Sequence, residues 1–392
     1  MRFNPSPSWV AVVLLLFAYA TLIAPAAPPA APAVITPPPQ PSAGPGGSQY
    51  THDLVEEHCY GQGDLQYWLF EPAEPKPQAA PVVIFNHGFG AMTPHGYGAW
   101  INHIVRRGSI VIFPRYQASL KTKATSFSSN AIAASKDALQ RLKTESGHVL
   151  PQLDKVAVVG HSMGGLVSAV MAARAAQDGL PPMKAVMCVE PGKTWGPAHV
   201  SMGDLSTMPA STLLLALVGD RDTVVRDIDG KRIINETVRI PAENKNFVKM
   251  ISDNHGKPSL VANHFCPAAP GGGSDQDRAA QNSAGTQRVG PVRQLIRERM
   301  RQRLQQRGSA SQRADDSGQA TDTPSCDSKN MRGIDVLDYY CTWKLFDALE
   351  DAAIQGKNRD YALGNTPKQR YMGKWSDGVP VKELIIEIGR TN

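Results

Sequence analysis

Gly160-His161-Ser162-Met163-Gly164 is the stretch with the clearest chemical content. It has the form G-x-S-x-G, and its surroundings give that pattern mechanical meaning. The apolar run Lys155 to Val159 comes directly before it, and a small-residue helical stretch through Ala176 follows. A strand passing straight into a helix must turn sharply. Such a turn forces Ser162 into a strained backbone conformation and presents its Oγ above the sheet edge. The flanking glycines remove side chains that would strike the neighbouring strand and helix. The helix also brings its positive N-terminal dipole to where negative charge would develop. The chemistry this prepares is nucleophilic acyl transfer.

A serine hydroxyl needs a base to take its proton, and on a strand–turn–helix elbow the partners follow in the order serine, acid, histidine. Asp222 stands four residues beyond Val218, the end of the apolar run Thr212 to Val218. Asp220 is its rival, with a turn-capping role as the alternative. Two histidines follow the last strand candidate, Phe247 to Ile251: His255 lies four residues beyond it and His264 thirteen. Proximity favours His255, and Gly256 after it suits a sharp exit. His264 is then a surface or supporting residue. Acyl transfer also needs donors for the oxyanion, worth about 3 kcal/mol each. The backbone N–H of Met163 and that of Phe89, in the turn His87-Gly88-Phe89-Gly90, are the candidates. His87 itself reads as a structural residue that holds this turn.

The elements that must position these groups read as an α/β chain. Strand candidates are Leu65 to Phe70, Val82 to Phe85, Ser109 to Phe113, Lys155 to Val159, Lys184 to Val189, Thr212 to Val218 and Phe247 to Ile251. Asn130 to Lys143 has helical spacing, with Ile132, Ala133, Leu139 and Leu142 near one face. Strands apolar throughout and separated by helical stretches predict a mostly parallel sheet covered on both faces. No Cys/His spacing resembles a zinc site, and the chemistry needs only side chains and backbone donors. The expectation is therefore no metal and no cofactor.

The 392 residues are 42% hydrophobic with a formal charge of +6, enough for one large domain with decorations. Eleven basic against seven acidic residues fall between Pro267 and Gly333, so most of the excess charge sits in one low-complexity stretch and nucleic acid is not expected as a partner. Arg2 and the uncharged run Trp9 to Ile23 predict a signal peptide over 1–26 and export, with an uncleaved anchor as the alternative. Pro, Ala and Gly crowd residues 27–49, which predicts an extended tether before a catalytic domain over 50–392. Residues 267–333 read as a disordered insertion. Within it, Pro291 to Arg307 could form a basic helix, either solvated or touching a membrane surface. The five cysteines are Cys59, Cys188, Cys266, Cys326 and Cys341. Cys188 is expected to be a free core thiol, and Cys266 and Cys326, which bracket the insertion, are expected to be bonded.

From about Pro81 to His255 the chain resembles the cutinase-like and polyester-hydrolase branch of the α/β-hydrolases, related to dienelactone hydrolases. Gly88-Phe89-Gly90-Ala91 is similar to that family's oxyanion turn, Gly160 to Gly165 to its nucleophile elbow, and Gly219 to Thr223 to its acid loop, with Asp222 at the acid. Phe247 to His255 aligns without a gap on its last strand and catalytic histidine. The family's aromatic and proline after that histidine are instead found in Asn263-His264-Phe265-Cys266-Pro267. Trp195 lies where such enzymes place an aromatic beside the cleft. The resemblance implies an esterase acting on small or polymeric acyl esters. Acyl transfer to another acceptor, or a non-catalytic binding protein on the same fold, are the alternatives. The tail from Ile334 lies outside the resemblance, and its turns around Tyr361 and Trp375 are expected to pack on the core.

Overall fold

Apolar residues on both faces of consecutive strands produce the predicted sheet. In the computed structural model, Met1, 34–193, 199–270 and 333–388 are the described residues. The strands are β1 (Leu54–Tyr60), β2 (Gln66–Ala73), β3 (Ala79–Asn86), β4 (Ile110–Arg115), β5 (Leu150–His161), β6 (Met183–Val189), β7 (Leu213–Gly219), β8 (Lys245–Met250) and β9 (Ile385–Ile388). Among the described residues they form one sheet in the order β1-β2-β4-β3-β5-β6-β7-β8-β9. The six strands from β4 to β8 run parallel, while β1, β2 and β9 join antiparallel. This is the α/β-hydrolase fold.

On β3, Val82 and Ile84 face one core and Val83 and Phe85 the other, all with no exposed surface. The first core is covered by α2 (Phe127–Thr144), α3 (Met163–Asp178) and α4 (Ile228–Glu236) through Phe127, Leu166 and Ile233. The second lies under α1 (Gly98–Arg107) and α5 (Trp343–Gln355) through Trp100, Ile104, Phe346 and Leu349. Each such side chain contributes roughly 1.5–3 kcal/mol by leaving water. The C-terminal turns pack as expected: Trp375 is buried and its Nε1 donates to Asp253 at 3.2 Å.

The tether expectation needs correcting over its second half. From Ile35 the chain belongs to the compact unit. Tyr339 Oη donates to Pro38 O at 2.6 Å, Gly46 N to Asp347 Oδ2 at 2.7 Å, and Lys257 N to Ile35 O at 2.8 Å. Gly46 has φ +78°, and a Cβ there would collide with Tyr339 O. Composition showed correctly that this segment has no core of its own. A proline-rich chain nevertheless has little conformational freedom to lose, so it docks cheaply where another surface supplies partners. The signal peptide, Trp195, the Pro291–Arg307 helix and Cys326 lie outside the described residues. Cys188 is buried in β6, as expected, and burial pushes its thiol up to about 12.

Candidate functional site

Parallel strands deliver their C-terminal ends to one edge of the sheet, where open α/β sheets bind ligands. Asn86, His161, Val189 and Gly219 end β3, β5, β6 and β7 there. Between β5 and α3, Ser162 has φ 57° and ψ −124°, the strained conformation predicted for the elbow. Backbone bonds hold it: its N–H donates to Val189 O at 2.9 Å, and its carbonyl accepts from Gly165 N at 2.9 Å. A Cβ on Gly160 would collide with Gly164 O, and one on Gly164 with Asn86 O and His87 O. Close approach, not a positive φ, is why glycine flanks the serine.

His264 Nε2 lies 2.9 Å from Ser162 Oγ, and its Nδ1 lies 2.8 Å from Asp222 Oδ2. An ionised carboxylate only accepts hydrogen bonds, so Nδ1 carries the proton and Nε2 is left to accept from the serine hydroxyl. Asp222 Oδ1 accepts from Val224 N at 2.7 Å and Val225 N at 3.0 Å. Burial works to raise the Asp222 pKa. The hydrogen bonds from His264, Glu190 and Val225 and the nearby His264 charge outweigh it, and the carboxyl is held well below its usual range. Of the two acid candidates, Asp222 is thus the one brought to the histidine beside Ser162. Asp220 instead accepts from Ser252 Oγ at 2.5 Å and Ser252 N at 3.1 Å, as a loop residue.

His255 does not reach the serine, which corrects the choice made from proximity. After β8 the chain bends through an antiparallel bridge, Asp253 to Leu260. That excursion carries His255 outward, where its Nε2 meets Asp377 Oδ2 at 2.7 Å with about a third of the side chain exposed. The chain then returns past the C-terminal end of β7. Arg221 N donates to Ala262 O at 3.0 Å, and a Cβ on Gly219 would collide with that same carbonyl. This close contact seats His264 beside Ser162. Gly256 serves the turn by fitting under the Trp375 ring, 2.5 Å from where a Cβ would stand. The histidine that the structure brings to Ser162 is thus the one followed by an aromatic and a proline, and the one nearer to β8 in the chain is carried away by the turn.

The oxyanion candidates stand at the same edge. Met163 opens α3, where the first N–H groups have no intrahelical acceptor. Gly88 to Ala91 is a tight turn closed by Ala91 N to Gly88 O at 3.1 Å, with Gly90 at φ 82°, as a type II turn requires at its third position. Phe89 follows Gly88, whose Cβ would stand 3.4 Å from Ser162 Cβ. His87 is structural, as expected: its ring stacks on Tyr116 at 4.1 Å, and burial pushes its pKa down to about 4.

Two neighbours were not foreseen. Glu190, fully buried at the end of β6, has a carboxyl oxygen within 4.8 Å of ligand atoms of both Asp222 and His264. Burial first, then the Asp222 carboxylate beside it, raise its pKa well above normal, which favours the protonated form next to Asp222. An acid at the C-terminal end of an apolar strand, beside the nucleophile's strand, was the available signal. His161 links two parts of the site. Its Nδ1 meets Tyr97 Oη at 2.8 Å, Tyr97 Oη accepts from Gly88 N at 2.9 Å, and His161 Nε2 meets His264 O at 2.7 Å. Burial lowers the His161 pKa to about 3, so it is neutral and donates from Nε2. By residue type Glu190, Asp222 and His264 could ligate a metal, but here they form a proton network engaged with the serine.

Comparison with known proteins agrees with this arrangement in part. The chlorophyllase family model matches residues 69–213, which takes in the Gly88 turn, the elbow and Glu190 and stops short of Asp222 and His264. Esterase LipI of Mycobacterium tuberculosis is 30% identical over 152 residues, 38% of this chain and 45% of that protein. The chain thus spans less than half the length of this relative. Neither match supports the cutinase-like branch. The chlorophyllase family is of the α/β-hydrolase type, and its match agrees with the strand order and the elbow of the α/β-hydrolase fold seen here.

Proposed function

We propose that this chain is a serine hydrolase of carboxylic esters that works through an acyl-enzyme on Ser162. The observation that carries the reading is the continuous relay from Ser162 Oγ through His264 to Asp222, at 2.9 and 2.8 Å. His264 Nε2 takes the hydroxyl proton as Oγ attacks the ester carbonyl carbon. The carbonyl oxygen becomes an oxyanion, for which the N–H groups of Met163 and Phe89 are the donors. His264 then gives its proton to the leaving alkoxide, and the alcohol departs. Water attacks the acyl carbon as His264 takes its proton, and the second tetrahedral species then breaks its bond to Oγ while His264 returns that proton to Ser162, releasing the acid. Asp222 fixes the His264 tautomer and stabilises the imidazolium formed twice in each cycle.

The partial likeness to an esterase and to the chlorophyllase family supports an ester as substrate. Export belongs to the same proposal, supported by Arg2 and the apolar run Trp9 to Ile23. N-terminal sequencing of the secreted protein checks it. The hydrolase reading is tested with a fluorophosphonate probe and p-nitrophenyl esters on the wild type, Ser162→Ala, His264→Ala and His255→Ala. Labelling lost in Ser162→Ala, and turnover lost in His264→Ala but kept in His255→Ala, is the expected result. An unlabelled wild type would sink the hydrolase reading, and ester products formed with competing alcohols would turn it into acyl transfer.

A further inference from the structure

A second cluster of metal-ligating side chains lies at the opposite edge of the sheet, where the parallel strands begin. β1 pairs with β2 so that His58 stands opposite Leu69, two residues from Glu71 on the same strand. His58 and Glu71 are therefore diagonal neighbours on one face. The segment entering β5 adds His148, directly before Val149 and Leu150. Ligand atoms of all three lie within 4.8 Å of one another.

The bonding within this cluster is uneven. The Glu71 carboxylate has no exposed surface; Oε2 accepts from Val149 N at 2.6 Å, and Oε1 faces both imidazoles. His148 Nδ1 lies 2.5 Å from Oε1, with its Nε2 held by Tyr60 Oη at 3.0 Å. His58 Nε2 is shielded from water, has no hydrogen-bond partner and sits 3.7 Å from the same Oε1. That gap is too long for a hydrogen bond and close to the roughly 3.3 Å that separates neighbouring ligands around a tetrahedral zinc ion. A shielded imidazole nitrogen facing a buried carboxylate across such a gap is unsatisfied until something bridges them.

We propose that His58 Nε2, Glu71 Oε1 and His148 Nδ1 bind a divalent transition ion, zinc foremost. Two imidazoles and one carboxylate are a zinc donor set, with a fourth position for water. The ion replaces the proton between His148 and Glu71, and those two ligands separate by less than an ångström to admit it. The surrounding groups already hold the ligands in orientation: Tyr60 Oη bonds His148 Nε2, accepting its proton once the ion takes Nδ1, and Val149 N–H fixes the second Glu71 oxygen. His58, 38% exposed, gives the ion a way in from solvent. The three ligands come from separate segments, so no short Cys/His spacing announces them. By tying β1 and β2 to the start of β5, the ion would stabilise this edge of the sheet.

The test is equilibrium dialysis of the full chain against zinc after chelator treatment, with metal analysis, cobalt absorption and melting curves in parallel. One zinc per chain is expected in the wild type and equally in Ser162→Ala and His264→Ala, which separates this site from the triad edge. His58→Ala, a substitution at a half-exposed strand position, should weaken binding by about tenfold or more, abolish the tetrahedral cobalt bands and remove the zinc-dependent rise in melting temperature. His148→Gln should do the same, and Tyr60→Phe should weaken binding less. Equal zinc uptake by wild type and His58→Ala, or none by the wild type, would overturn the proposal. Neither outcome depends on ester hydrolysis.

Discussion

His264 with Asp222 and His255 with Asp377 are two histidine–aspartate pairs of nearly equal length, 2.8 and 2.7 Å. Their surroundings differ. The first is buried at the strand ends, its carboxylate holding two backbone N–H groups besides the imidazole, with the buried Glu190 carboxyl next to it. The second lies on an outward turn with both side chains about a third exposed. Hydrogen-bond geometry alone therefore does not identify a catalytic pair. What separates them is a serine on the far side of the ring and the exclusion of water, which strengthens the electrostatics of the buried pair.

The largest expected effect breaks the comparison at its histidines. His264→Ala should lower kcat/KM for a p-nitrophenyl ester by about 10⁴ to 10⁶-fold, since the serine loses its base. His255→Ala should stay within about twofold, as a surface substitution does. Equal losses in the two variants would mean that the turn from Asp253 to Leu260 rearranges during turnover. Next come the carboxylates. Asp222→Asn should cost about 10⁴-fold in kcat, because an amide that donates to Nδ1 favours the tautomer that cannot accept the Ser162 proton. Asp377→Asn should leave kcat unchanged.

A smaller effect concerns Glu190, which has no counterpart beside His255. Its raised pKa means that the folded state keeps a proton which the unfolded chain releases above 4.5, its ordinary value. Stability from this group is present below that pH and is lost as pH rises toward the folded-state pKa. Asp222 has the opposite sign: its depressed pKa gives stability above 3.8 that is lost as pH falls. Glu190→Gln stays neutral at every pH. Its melting temperature should therefore gain on the wild type as pH rises above 4.5 and show no gain below it. A pH-independent difference in paired melting curves would mean that Glu190 does not keep its proton in the folded state.

Much of this arrangement is legible in the sequence. The elbow was legible because G-x-S-x-G stood between a strand pattern and a helix pattern, and Asp222 because it followed an apolar run at the distance that brings it to the same sheet edge. The histidine beside Ser162 is not the one nearer in sequence, because distance along the chain is a poor guide to reach wherever a turn intervenes. The bridge from Asp253 to Leu260 rests on Asp253, Trp375 and Lys382, residues over a hundred positions apart. β1 and β9 escaped notice for a related reason. They are edge strands, partly exposed and weakly patterned, as the exposed Leu54 and Ile385 show. The docking of Ile35 to Gly47 depends on a surface formed by residues some three hundred positions later, which local composition cannot register.

The smallest expected effect asks what the second pair does at all. His255 Nε2 and Asp377 Oδ2 meet in solvent, where water competes for both groups and salt screens the charge. The turn that carries His255 is held from beneath: Asp253 accepts from His255 N at 3.1 Å, Lys382 N at 3.0 Å and Trp375 Nε1 at 3.2 Å, and Asp253 N and Leu260 N exchange backbone bonds at 2.8 Å. Those bonds do not involve the imidazole. His255→Ala should therefore leave the melting temperature within experimental scatter, whereas Asp253→Ala, which leaves a buried indole N–H and two backbone donors without an acceptor, should lower it by several degrees. If His255→Ala instead lowered it as much, the exposed pair would be the clamp on the turn, and the packing that seats His264 would begin at the surface.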